Sequence, residues 1–359
     1  MSIKHLEYAL VTYCPLDCAH CYLGDSAAIK QPLPHLDEVK KVIKKASRLE
    51  VELMAHRSGE VFLRNDFIEI MRLTNAEFIN LWIITSGVGL TKNKIEEIYN
   101  LPGNNRLIFS LDGDTEQIND EVRFKGSFSK VMDCLEHLRV LYASGQKSSL
   151  LISIAHCVTN RTFDRLKKLN KTLAPYPIVS VDFNAVKNEG FNADGRLSLS
   201  VEQYNTSQAD IQWFHNELRG GQGDYFQNIR DDLKLQEESQ IVVPQNSLPC
   251  TRQETLYMDN KGFLYPCSSR ANKSFSPPLP NDSPLWQVQA PNILDDGIDS
   301  LGALWQSELF RAYKDMAFAA NQKYYEDNDQ SWDFSENHLH CPLTLSKRSE
   351  SAPSSLKIL

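Results

Sequence analysis

The chain lacks any apolar run long enough to cross a bilayer, and no signal peptide opens it. It also lacks an excess of basic charge: 38 Lys and Arg stand against 46 Asp and Glu, a formal net charge of −8. That balance carries no electrostatic footprint for nucleic acid. Eight cysteines without an export signal point to a reducing, cytoplasmic setting, with neither membrane nor nucleic acid as partner. What is present is enough length and apolar content, 359 residues at 42% hydrophobic, to bury a large core in one big domain or one and a half.

A fourth thiol is missing where one would be expected. The stretch YCPLDCAHCY (Tyr13–Tyr22) brings Cys14, Cys18 and Cys21 together on one short loop. A disulfide pairs thiols two at a time and leaves one over. Structural zinc closes with four ligands, usually as two close pairs. An iron–sulfur cube also has four corners and favours soft thiolates, and three thiolates leave one iron open to a small molecule. An open-cornered cluster is the expected occupant, with zinc or chance clustering as the alternatives. Of the other cysteines, Cys134 and Cys157 sit in apolar patterns and read as plain buried thiols.

The first half alternates strand-like and helix-like segments. Strands are expected at Leu6–Tyr13, Val51–His56, Phe78–Thr85, within NRLIFSLDG and SSLLISIAHCV, and at Ile178–Val186. Helices are expected at Leu36–Leu49, Asp66–Thr74, after an N-cap at Thr91, across the stretch closed by Gly145, and at Arg161–Leu173. Six β/α units imply a parallel sheet with ligands at the C-terminal strand ends, which is where the cysteine loop falls.

At this point the chain resembles the radical S-adenosylmethionine (SAM) enzymes, and in particular their SPASM/Twitch branch. The cysteine loop matches that family's CX3CX2C motif, with His20 at its usual aromatic position. SGEV (Ser58–Val61) stands where the family has GGEP, with Ser for Gly and Val for Pro. ITSG (Ile84–Gly87) resembles its TNG turn, SLDG with NDEVR and GSF its fourth-strand signature, and VTN (Val158–Asn160) its fifth-strand element. The resemblance implies a partial (β/α)6 barrel, α/β in class, and a [4Fe–4S] cluster on Cys14, Cys18 and Cys21. It further implies SAM contacts from Ser58, Gly59, Glu60, Thr85, Ser110, Arg123 and Val158. The implied chemistry is reductive cleavage of SAM to a 5′-deoxyadenosyl radical that removes a hydrogen atom from substrate. A reductant such as flavodoxin or ferredoxin is implied as partner.

Further along, CTRQETLYMDNKGFLYPC puts Cys250 and Cys267 at the feet of a β-hairpin that turns through Asn-Lys-Gly. This resembles the opening of the Twitch/SPASM extension. One auxiliary [4Fe–4S] cluster is therefore expected on Cys250, Cys267 and Cys341, its fourth ligand substrate, water, His338 or His340. Free core thiols or zinc are the plain alternative. Asp299–Met316 reads as short amphipathic helices. The expected division is a barrel over residues 1–200, a helical linker over 201–245, the auxiliary-cluster extension over 246–345 and a flexible tail over 346–359.

The substrate expected from the resemblance is a ribosomally made precursor peptide or a protein side chain, modified by oxidative crosslinking or dehydrogenation. The alternative is a small-molecule sugar or aminocyclitol. The first strand begins close to Met1, so no peptide-recognition domain is expected before it. The acidic segment Tyr324–Asn337 reads as a solvated loop that could attract a cationic substrate. From another class, a non-catalytic iron–sulfur or zinc protein would need neither Arg123 nor a glycine turn near the thiols.

Overall fold

The computed structural model describes residues 3–186, 190–192, 194–221, 255–265, 290–308 and 310. Cys250, Cys267, Cys341, both candidate histidines, the acidic segment and the tail lie outside the described residues.

Six strands alternate with helices. They are β1 (His5–Tyr8), β2 (Leu53–His56), β3 (Asn80–Thr85), β4 (Arg106–Ser110), β5 (Leu151–Val158) and β6 (Ile178–Ala185), each parallel to its neighbour. The fold is α/β, an open parallel sheet with helices packed on one face. The helices are α1 (Leu36–Arg48), α2 (Phe67–Ala76), α3 (Lys92–Tyr99), α4 (Glu116–Val122), α5 (Ser127–Ala143), α6 (Leu166–Leu173) and α7 (Val201–Gly221), with α2 against β3, α7 against β6, and the others packed on neighbouring helices. Alternation along β4 assigns its two faces. Leu107, Phe109 and Leu111 join the core under the helices, whereas Ser110 and Asp112 project from the other face. Each fully buried side chain of this kind stabilises the fold by about 1.5–3 kcal/mol.

The hairpin reads as expected, and its position adds something. Strand β7 (Thr255–Met258) returns antiparallel through β8 (Leu264–Tyr265), with Gly262 in the left-handed region at φ 88°. β7 also pairs parallel with β1, Glu7 opposite Tyr257, so the hairpin extends the barrel sheet in the order β6-β5-β4-β3-β2-β1-β7-β8. Beyond it, Ser300 caps the short helix α8 (Leu301–Trp305), which buries Trp305.

Differences from the sequence reading are local. Helix α6 starts at Leu166, five residues later than expected, because Thr159 and Thr162 form their own turn. Thr159 N–H donates to Thr162 Oγ1 at 3.0 Å, and Phe163 N–H donates to the Thr159 carbonyl at 3.0 Å. The first strand ends at Tyr8; Ala9 N–H makes one more bond to the neighbouring chain, to the Met258 carbonyl at 2.8 Å, and the backbone then runs into the cysteine loop. Helix α4, read only as part of a motif, forms with Thr115 as its N-cap. Among the described residues, no helix is long and apolar enough to cross a membrane.

Candidate active site at the C-terminal ends of the strands

The cysteine loop leaves β1 and is pinned from several sides. Cys14 N–H donates to the Ala27 carbonyl at 2.7 Å, Ala19 N–H to Val122 at 2.8 Å, and Cys21 N–H to Cys18 at 2.9 Å. Two glycines let other segments press against it. Gly59, at φ 63°, brings the Ser-Gly-Glu turn so close that a Cβ there would sit 2.4 Å from the Val11 carbonyl oxygen and 2.7 Å from that of Tyr13. Gly190, at φ 56°, lies under Cys21, whose carbonyl oxygen would meet a Cβ at 2.1 Å. Nothing in the sequence reading singled out Gly190, because it touches the loop only in three dimensions.

The three thiols are free and half-buried. Burial pushes Cys14 up to about 11 and Cys18 up to about 12, and raises Cys21 as well, so all three rest as thiols. A metal centre that takes them as thiolates must displace their protons. Among the described residues, no three His, Cys, Asp or Glu side chains converge as ligands of a single metal ion. A cube does not need that convergence, because each thiolate binds its own iron. The donor set, three soft ligands on one half-buried loop, fits an iron–sulfur cluster better than zinc.

Of the expected SAM-contact residues, Gly59 and Glu60 adjoin this loop, and Glu60 N–H donates to the Tyr13 carbonyl at 3.0 Å. Glu60 is buried at 1% exposure, and its carboxylate is already engaged. Thr85 Oγ1 donates to Oε1 at 2.8 Å, and both Ser86 N–H (2.8 Å) and Ser86 Oγ (2.6 Å) donate to Oε2. Burial raises the Glu60 pKa, and these neutral donors only partly oppose it. The Glu60 and Thr85 side chains therefore lock β2 to β3, and contacts from this turn to a ligand fall to its backbone. Ser58, the departure from the family glycine, is buried 3.4 Å from the Tyr257 hydroxyl and ties the turn to the hairpin. Ser110 and Val158 lie buried at the ends of β4 and β5.

The Arg123 side chain, expected as a carboxylate partner, is 9% exposed and paired. Its Nε lies 2.6 Å from Asp112 Oδ2, close but off the line of a hydrogen bond. Asp112, at 0% exposure, also faces His20 Nε2 at 3.3 Å and accepts from Cys157 N–H at 2.6 Å. Burial pushes the Asp112 carboxyl up, but the charge of Arg123, helped by His20 and His156, outweighs it and holds the pKa below the ordinary value. Asp112 was read only as part of a turn motif. Cys157, read as a plain buried thiol, is half-buried and packs, as Ala19 of the cysteine loop does, against the small cluster of Val122, Val186 and Leu197. Cys134 is buried as expected. A separate cavity of about 740 Å³ lies on the outer surface between α2 and α3, lined by Arg72, Asn75 and Glu96 among others, and no motif residue borders it.

Residues 8–169 match the model of the radical SAM superfamily. That stretch, a little under half of the chain, is thus similar to a class of domains whose cofactors are SAM and a [4Fe–4S] cluster. Within the class, the chain is 28% identical over 171 residues to the mycofactocin maturase MftC of Mycolicibacterium smegmatis, covering 48% of this chain and 42% of that protein. The chain thus spans about two fifths of the length of that curated relative. Among solved structures it resembles Streptococcus suis SuiB bound to the precursor peptide SuiA (TM-score 0.61, 12% identity, 86% of this chain and 65% of that one). It also resembles anSMEcpe with AdoMet bound (TM-score 0.63, 16% identity, 95% and 85%). These structural likenesses establish the fold.

Proposed function

We propose that this chain is a radical SAM enzyme that oxidatively modifies a ribosomally made peptide or protein side chain, by crosslinking or dehydrogenation. The observation that carries the reading is the loop of three free, half-buried thiols after β1, set at the C-terminal edge of a parallel sheet within the stretch that matches the radical SAM model. The similarity to a maturase, MftC, supports a precursor peptide as substrate. In this proposal Cys14, Cys18 and Cys21 hold the cluster. When bound, cluster and SAM together supply one-electron cleavage of the sulfonium and a 5′-deoxyadenosyl radical that abstracts hydrogen from the substrate.

The chain's own residues bind and orient. The backbone of Ser58, Gly59 and Glu60 would receive the SAM ammonium, while Glu60 and Thr85 keep that turn rigid from behind. Ser110 and Arg123 would meet the methionine carboxylate, and Val158 would flank the adenine. The Gly59 and Gly190 contacts hold the loop in place from two sides. Cys250, Cys267 and Cys341 are proposed to hold an auxiliary [4Fe–4S] cluster beyond the hairpin, in the extension over residues 246–345 that follows the linker. A cytoplasmic flavodoxin or ferredoxin is proposed as the reductant.

The test is direct. Protein reconstituted anaerobically with iron and sulfide and reduced with dithionite is expected to release 5′-deoxyadenosine from SAM. A fully reconstituted sample that releases none overturns the enzyme reading. Short peptides encoded beside this chain, added to the same mixture, are expected to lose a pair of hydrogens by mass spectrometry. If they stay unmodified while a sugar or aminocyclitol is oxidised, the peptide assignment falls.

A further inference from the structure

Asp112 is fully buried among the candidate-site residues and was not among the expected SAM contacts. Its side chain joins three elements beyond its own strand. From the end of α4 comes Arg123, with Nε at 2.6 Å from Oδ2. From the cysteine loop comes His20, Nε2 at 3.3 Å from the same oxygen. From β5 comes the Cys157 N–H, 2.6 Å from Oδ1. Asp112's own N–H donates to Asn119 Oδ1 at 2.8 Å, which fixes the carboxylate against α4. His20 sits between Cys18 and Cys21 in sequence, and its Nδ1 lies 3.3 Å from the Val122 carbonyl. One carboxylate therefore braces the cysteine loop, the candidate SAM arginine and the neighbouring strand together.

The charges matter as much as the contacts. Arg123 is a cation set against the cysteine loop, because the residue before it, Val122, accepts from Ala19 N–H at 2.8 Å and lies 3.3 Å from His20 Nδ1 through the same carbonyl. Asp112 is the anion that cancels Arg123 at contact distance. The potential of an iron–sulfur cluster follows the net charge around it, and an uncancelled cation stabilises the more negative, reduced cluster.

We propose that Asp112 is a positioning residue that braces Arg123 and His20 against the cysteine loop and, by cancelling the charge of Arg123, holds the cluster bound there at a low potential. This rests on the reading that Cys14, Cys18 and Cys21 carry that cluster, and low potential is what an electron donor to a sulfonium requires.

The experiment is an EPR-monitored redox titration of the anaerobically reconstituted full chain. Asp112→Asn keeps an acceptor for the Cys157 N–H and removes the charge. It is expected to hold as much iron as wild type and to be reduced at a midpoint at least tenfold easier to reach, a positive shift of about 59 mV for one electron. Asp112→Glu restores the charge and is expected to bring the midpoint back towards wild type. A loaded wild type and a loaded Asp112→Asn with the same midpoint overturn the inference and leave the proposed function standing. A wild type that takes up no cluster overturns both. Should Asp112→Asn fail to fold, Arg123→Gln carries the test, since losing the cation moves the midpoint negative, and an unchanged or positive midpoint overturns the inference.

Discussion

Two carboxylates lie buried at the same edge of the sheet, and their surroundings drive them in opposite directions. Glu60, after β2, is held by two hydroxyls and amide N–H groups, all neutral, and its pKa rises. Asp112, after β4, is held by a guanidinium and an imidazole as well as an amide, and its pKa falls although it is no less buried. Hydrogen bonds from neutral groups satisfy a buried carboxylate's geometry without fully replacing the water it has lost, whereas a cation at contact distance does replace it. The β2–β3 corner is accordingly a latch that shapes a turn. The β4–β5 corner is a charged hub beside the thiols. A motif that reads as two acidic turns at the ends of two strands thus contains two different devices.

The strongest way to break the comparison is at the loop both corners support. Cys14→Ala, Cys18→Ala or Cys21→Ala is each expected to abolish SAM cleavage, read as 5′-deoxyadenosine. Retained cleavage in any one of the three removes the cluster from this loop. Next comes the hub. Asp112→Ala leaves Arg123 buried without its anion and is expected to cost about 3–5 kcal/mol in urea unfolding of the chain. A loss under 1 kcal/mol would mean that the pair is dispensable. Gly59→Ala drives a Cβ into the Val11 and Tyr13 carbonyls and is expected to cost about 1–3 kcal/mol, with lower iron uptake. Iron uptake equal to wild type would separate the turn from the loop.

The smallest effect separates the two carboxylates by pH. Asp112, depressed when folded, adds stability that is present above its unfolded pKa and is lost as pH falls through its lower folded value. Glu60, raised when folded, does the reverse, so its contribution weakens as pH climbs from the ordinary carboxylate range through its folded pKa. Glu60→Gln, which cannot ionise, is expected to lose that decline and differ from wild type by roughly 1 kcal/mol across it, in the range of one hydrogen-bond rearrangement. Parallel stability–pH curves for the two proteins would show Glu60 to be unperturbed.

By itself, the sequence determined the elements and their order. Alternating apolar strands and amphipathic helices leave a parallel α/β sheet as the economical solution, because each helix must cover the face its strands expose. It also determined the order of the motifs, since each falls after a strand and so at one edge of the sheet. The hairpin too was legible, from Gly262 and the apolar residues on either side of it. Only the tertiary structure decided what those motif residues touch. Glu60 and Thr85 bond one another across 25 positions of sequence, Asp112 meets His20 across 92, and Tyr257 reaches Ser58 across 199. The same holds for the hairpin's place beside β1 and for Gly190 beneath Cys21. Spacing along a chain encodes periodicity, which local structure obeys. It does not encode which buried charge finds which partner, because that depends on the distances and the lost water that appear only once the strands are packed.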